Sequence, residues 1–373
     1  MIINPSLLYL QSTAMTEPLL LGFMTASVAL LDRWWDHPEE SKTLWWAGLL
    51  AAFAVGSRYD GWFLVALAVP FILWRSRSIL AATRFALLPL LMVGLWLWYN
   101  WHYFGDPLEF QRGAWSAAAQ QSALADQGLL PTRGNLPLAT WYYLGAAGLC
   151  SGFILMIAGA AGTLAVFRKG AGMAMLLLSS ALAFNVIALV AGQSVIALPW
   201  TTPAGVLNLR YGVMLLPALA LGSAAALAAI GDSRRRVTAL VVILALQAGA
   251  WAWRFPNQAG ALREALAIRD GDRVQMDVSI WLEHNYDRGR VLISPALNVS
   301  PRSRIAMRDR IHPWSWETGP AALADPGSTV DWVLVDERNQ SDPVTAAVAA
   351  DTEFGRDFIL AHEDRGISIW QRR

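Results

Sequence analysis

Glu17, Arg58, Asp60 and Arg210 each stand in a part of the chain that otherwise carries almost no charge. A guanidinium fork binds two phosphoryl oxygens at once, and a nearby carboxylate can accept sugar hydroxyls or take a proton from an acceptor. Arg58 and Asp60 flank Tyr59 in Gly56-Ser57-Arg58-Tyr59-Asp60-Gly61, and Arg210 precedes Tyr211. Asp106 lies in Phe104-Gly105-Asp106-Pro107, at the start of a long polar stretch. These types suit recognition of a phosphate next to aromatic rings at a membrane surface. Arginines and tyrosines at such a surface also serve as plain interfacial anchors, and the residues alone leave both readings open.

The elements that would carry these residues are apolar. Hydrophobic residues make up 55% of the 373, 19 of them Trp, and mean hydropathy is +0.38. Long uncharged runs cover 134–167, 170–209, 211–231 and 237–253, which predicts a mainly α, polytopic membrane protein. Arg58 to Asp60 sits between two shorter arms, 43–57 and 61–74. At about 14 residues, roughly 21 Å, each arm is short of the ~30 Å hydrocarbon core, so the pair reads as a hairpin with a charged tip. A charge at mid-bilayer costs about 2.5–3.5 kcal/mol on insertion scales, which favours a tip at the surface.

Counting the hairpin as two spans gives about eight transmembrane helices. Arg-rich connections at 75–84, 168–172 and 231–236 are then all cytoplasmic. Glu17, Arg58, Asp60, the loops 102–137 and 192–210 and the tail gather on the external side. An N-terminus starting outside implies an odd number of spans before Met1. Residues 1–252 hold 14 basic and 10 acidic side chains and residues 253–373 hold 15 and 18, a shift that divides the chain into a transmembrane domain, 1–253, and an external α/β domain, 254–373. In the latter, 290–294, 331–336 and 366–370 read as strands, and 274–286 and 345–358 as helices.

A net charge of +1 gives no case for nucleic acid binding. Cys150 is the single cysteine, so no disulfide or Cys-based metal site forms within the chain, and the five His show no ligand spacing. The sequence shows no cofactor motif and leaves any metal requirement open.

The order Pro5…Thr16-Glu17, Arg58-Tyr59-Asp60-Gly61, Asn100…Phe104-Gly105-Asp106-Pro107 and Asn208-Leu209-Arg210-Tyr211-Gly212…Pro217 resembles bacterial polytopic glycosyltransferases of the GT-C class. The nearest types are the family 39 group, with protein O-mannosyltransferases and aminoarabinose transferase, and RgtA-like domains. The likeness covers about residues 1–220. It implies an inverting transferase of the bacterial inner membrane that moves a sugar from a polyprenyl-phosphate donor to a lipid, glycan or protein acceptor on the external face. It also implies that Arg58 and Arg210, with Tyr211, contact donor phosphate, that Glu17 and Asp60 line the sugar or acceptor pocket, and that Asp106 orders the external loop. The family's catalytic carboxylate pair lies in a first external loop that would precede Met1, so the chain reads as N-terminally truncated, with Glu17 and Asp60 the remaining catalytic candidates. The alternative is a non-catalytic membrane protein that binds a polyprenyl-linked sugar or assists a complex. A transporter would show repeats and charges at depth, and neither is visible.

Overall fold

The computed structural model describes residues 3–373 except 114–115, 127, 169, 202–204, 254–256, 258, 316 and 340. Lys169, Pro203 and the break placed at Arg254 therefore lie outside the described residues. The chain forms two compact units, Met1–Ala265 and Leu266–Arg373.

The first unit is helical. Helix α1, Pro5–Gln11, is capped by Asn4, whose Oδ1 accepts from Leu7 N (2.9 Å) while Nδ2 donates to Cys150 O (2.9 Å). Helix α2, Glu17–Asp36, packs on α3, Ser41–Ser57, and Ser27 Oγ ties the two by donating to Ala47 O at 2.8 Å. Helix α4, Asp60–Ser76, returns beside α3, and α5, Ile79–Phe104, crosses both. Helices α3 and α4 have 17 residues each, about 25 Å, still short of the hydrocarbon core. Short helices α6, Glu109–Arg112, and α7, Ala117–Asp126, occupy the following loop.

Within the uncharged run 134–167, whose part from about 139 to 167 reads in the sequence as one span, the helix is broken. Helix α8, Leu136–Ser151, and α9, Phe153–Arg168, meet at Gly152 with a bend of 114°. Gly152 has φ +98°, a backbone region open to glycine, and a Cβ there would strike the Gln247 side chain. Gln247 Oε1 instead accepts from Leu155 N at 3.3 Å, satisfying a donor exposed by the break. Helices α10, Gly172–Leu178, and α11, Ser180–Val190, run on almost without interruption. A 3₁₀ segment, Leu209–Leu215, leads into α12, Leu216–Ala228, and α13, Ser233–Trp253, follows.

Among the described residues, four helical stretches are long and apolar enough to cross a membrane: Ile79–Phe104, Gly172–Val190, Leu209–Ala228 and Ser233–Trp253. The bent α8–α9 pair makes a fifth if it is one span. Helices α3 and α4 fall short of that length, and the charges at both ends of α2 dilute its apolar stretch.

Helix α14, Gly260–Asn285, begins in the first unit, and Val274, Val278 and Leu282 of its later turns enter a core of the second. That unit holds a five-stranded sheet of order β2-β1-β3-β5-β4, from β1 Val291–Ile293, β2 Arg310–Ile311, β3 Trp332–Asp336, β4 Phe358–Asp364 and β5 Ile367–Arg372. β1 pairs parallel with β2 and β3, and β5 pairs antiparallel with β3 and β4. The helix expected over 345–358 is two short ones, α15 Pro343–Ala350 and α16 Phe354–Asp357, because the chain turns at 351–353 and Phe358 starts β4.

Candidate functional site

Each residue at the site owes its place to a helix end. Glu17 opens α2, where Pro18 suits the first turn and the helix dipole favours a carboxylate. Arg58 leaves α3 in extended conformation (φ −161°, ψ 157°), and Asp60 opens α4. Gly61 makes this turn possible: a Cβ there would lie 2.5–2.6 Å from Ala54 C, Ala54 O and Val55 N, all backbone atoms that no rotamer change can move. On the second loop, Asn208 takes a left-handed conformation (φ 56°), tolerated by Asn, and its Nδ2 donates to Val195 O at 2.8 Å. The 3₁₀ segment then presents Arg210 and Tyr211.

The structure brings Glu17, Arg58, Asp60, Arg210 and Tyr211 into one network. Arg58 Nη1 donates to Glu17 Oε1 (3.0 Å) and Nε to Asp60 Oδ2 (3.1 Å). Asp60 Oδ1 accepts from Asn185 Nδ2 at 3.0 Å, a partner on α11 that the sequence did not point to. Arg210 Nε lies 3.3 Å from Glu17 Oε1, a charge contact without hydrogen-bond alignment. Both guanidinium carbons sit near the Tyr211 ring, at 5.0 Å for Arg58 and 5.3 Å for Arg210. Glu17 and Asp60 are 2% and 1% exposed, and burial this complete is tolerable because each carboxylate meets a guanidinium.

Sequence reasoning missed Glu264 as well. It is buried on α14 and accepts from Asn208 N (2.9 Å), Arg210 N (3.2 Å) and Arg210 Nη1. One carboxylate thus fixes the end of the second loop and the side chain that follows it. It sits 54 residues from Arg210 in an ordinary charged helix, so nothing local to the sequence singles it out.

Asp106 stands apart. Its carboxylate accepts from Leu108 N (2.9 Å) and pairs with both Nε and Nη2 of Arg112 (2.6 and 2.7 Å). The Arg112 hydrogen bond, with that of Leu108 N, holds its pKa below the usual carboxylate range. The pair closes the turn carrying Phe110, which stacks on Tyr59 with ring centroids 5.0 Å apart.

Two cavities meet at Arg58. The first, about 600 Å³, is lined by Thr16, Arg58, Asp60, Asn185 and Tyr211 and by the aromatic side chains of Trp62, Phe63, Phe110 and Phe184. The second, about 390 Å³, is an apolar groove of Val55, Gly56, Met92, Leu95, Trp96 and Tyr99 along α3 and α5. They share Ser57, Arg58, Tyr59 and Trp62. Glu17, Arg210 and Glu264 are not part of either wall. Chemically, the wall offers one oriented guanidinium, one carboxylate with both oxygens already engaged, and several neutral hydroxyl and amide groups. Among the described residues no group of His, Cys, Asp and Glu is arranged to hold a metal ion.

Comparison of the chain with protein-family models, with curated proteins and with solved structures finds no match.

Proposed function

We propose that this chain is a membrane glycosyltransferase that takes a sugar from a polyprenyl-phosphate donor on the external face. The observation that carries it is Arg58, held by two buried carboxylates at the seam between a polar cavity and an apolar groove. A lipid-linked phosphate has those three parts in that order: an apolar chain, an anion and a polar head. The chain would lie along Met92, Leu95 and Trp96, the phosphate against Arg58 and Tyr211, and the sugar among Thr16, Asp60 and Asn185. Arg210 and Glu17 would act from behind this wall, by positive potential and by orienting Arg58. On this reading α2, α3 and α4 join the five longer stretches in the bilayer, making eight spans, with the second unit external.

One observation favours the second reading, a non-catalytic protein that binds a polyprenyl-linked sugar. Both oxygens of Asp60 are engaged and Glu17 does not reach the cavity, so no described carboxylate on the wall is uncommitted as a base. Release of polyprenyl phosphate from a polyprenyl-phosphate sugar, measured on the purified chain beside Arg58→Ala and Asp60→Asn, separates them. Turnover lost in both variants supports the transferase. Donor binding without turnover, lost in Arg58→Ala, supports the binding protein. Absence of both refutes the phosphate site.

A further inference from the structure

The larger cavity has a charge inventory that selects among sugars. Among its described lining residues only Arg58 and Asp60 are ionisable near neutral pH, and they pair with each other. Every other polar group on the wall is a neutral hydroxyl or amide, including Asn185, Gln111, Gln193 and Ser194. The residues of the two loops outside the description, 114–115, 127 and 202–204, are Ala, Trp, Gln, Thr, Pro and Ala, none charged. Asp106 and Arg112 of the first loop are spent on one another, and the loop's other charged residues, Glu109, Asp126 and Arg133, are not among the described lining residues.

We infer that the sugar accepted here is neutral, a hexose- or pentose-like polyol without a carboxylate or amine; this rests on the lipid-phosphate reading above. Once phosphate engages Arg58, a uronic acid would find no second cation among the described lining residues, and its carboxylate would share the cavity with Asp60. An amino sugar would find only Asp60, whose Oδ1 and Oδ2 are already held by Asn185 and Arg58. Hydroxyls, by contrast, match amide and hydroxyl partners that donate and accept in turn. The aromatic side formed by Trp62 and Phe110 suits the C–H face of a sugar ring.

The test uses the full chain in lipid nanodiscs and four probes: polyprenyl phosphate alone, and the same lipid bearing a neutral hexose, a hexuronic acid or an amino hexose. The expected result is that the neutral-hexose probe binds on the order of tenfold or more tightly than the two charged ones. A second arm uses Gln193→Lys, at an exposed position where the fold tolerates the change, which places a cation at the wall. That variant is expected to narrow the gap for the hexuronic acid probe and not for the amino hexose. Charged probes binding as tightly as the neutral one, with polyprenyl phosphate alone still bound in an Arg58-dependent way, would overturn the inference and leave the phosphate reading standing. Failure of polyprenyl phosphate alone to bind would overturn both.

Discussion

Replacing Glu264 tests whether the buried network is what sets Arg210. Glu264→Ala removes the acceptor for two backbone N–H groups and for one guanidinium nitrogen. Orphaning buried donors costs about 1–3 kcal/mol, and breaking a buried ion pair about 3–5 kcal/mol. Arg210 keeps 24% side-chain exposure and retains Glu17 at 3.3 Å, so water and that carboxylate offset part of the loss. The net expectation is a destabilisation of roughly 2–4 kcal/mol. In an Arg210→Ala background the charge part vanishes and only the backbone donors remain, so Glu264→Ala should then cost about 1–2 kcal/mol. Unfolding titrations of the four proteins in mixed micelles give the coupling, expected at roughly 1–2 kcal/mol. Effects that add to within about 0.5 kcal/mol would show that Glu264 does not hold Arg210, and the reasoning would fail.

Gly61→Ala forces a methyl against the backbone of α3 and should destabilise the chain by about 1–3 kcal/mol. Gly94→Ala in α5, where a Cβ meets nothing within 4 Å, should stabilise by up to about 1 kcal/mol, and thermal melts of both in detergent check the contrast. Asn185→Leu strips Asp60 of its amide partner and should weaken polyprenyl-phosphate-sugar binding more than binding of the sugar-free lipid; equal losses would argue against a sugar contact. In the second unit, Asp336 accepts from Arg338 Nε and Nη2 (2.6 and 2.8 Å), and that hydrogen bonding holds its pKa below the usual carboxylate range. The pair's stabilisation is therefore complete above the ordinary carboxylate pKa of about 3.9 and fades as pH falls through the depressed value. The stability difference between wild type and Asp336→Asn should accordingly be flat at neutral pH and shrink below about pH 4, read by unfolding titrations across that range.

How much could be read in advance depends on how locally each feature is encoded. The hairpin around Arg58–Asp60 was legible because two apolar arms end in a charged, glycine-closed tip, and α3 and α4 lie within a few residues of those arms. The break at Gly152 was not, because α8 and α9 share one apolar composition and the partner that stabilises the break, Gln247, is 92 residues away from the amide it accepts. Strands β2 and β4 escaped for a related reason: β2 has two residues, and β4 alternates weakly at the edge of the sheet. At the site, lone charges in apolar surroundings could be found by inspection. Asn185 and Glu264 could not, since an amide inside a span and one acid among many in a charged helix look unremarkable until the helices pack. Nor could spacing show that Asp60 reaches the cavity and Glu17 does not; that follows from which helix ends meet.

Beyond the three arginines of its first turn, Arg234 to Arg236, helix α13 is largely apolar, and Gln247 is its one buried residue. In water an apolar stripe would choose which side of a helix faces inward, but if α13 spans a bilayer, as its length and composition allow, hydrocarbon would offer every Leu and Val equivalent contacts. The rotation of α13 about its own axis would then rest chiefly on the amide that accepts from Leu155 N. Gln247 acts as an indexing pin: Gln247→Leu would leave α13 in the membrane yet free to turn, and cysteine crosslinks between α9 and α13 would spread over several registers instead of one.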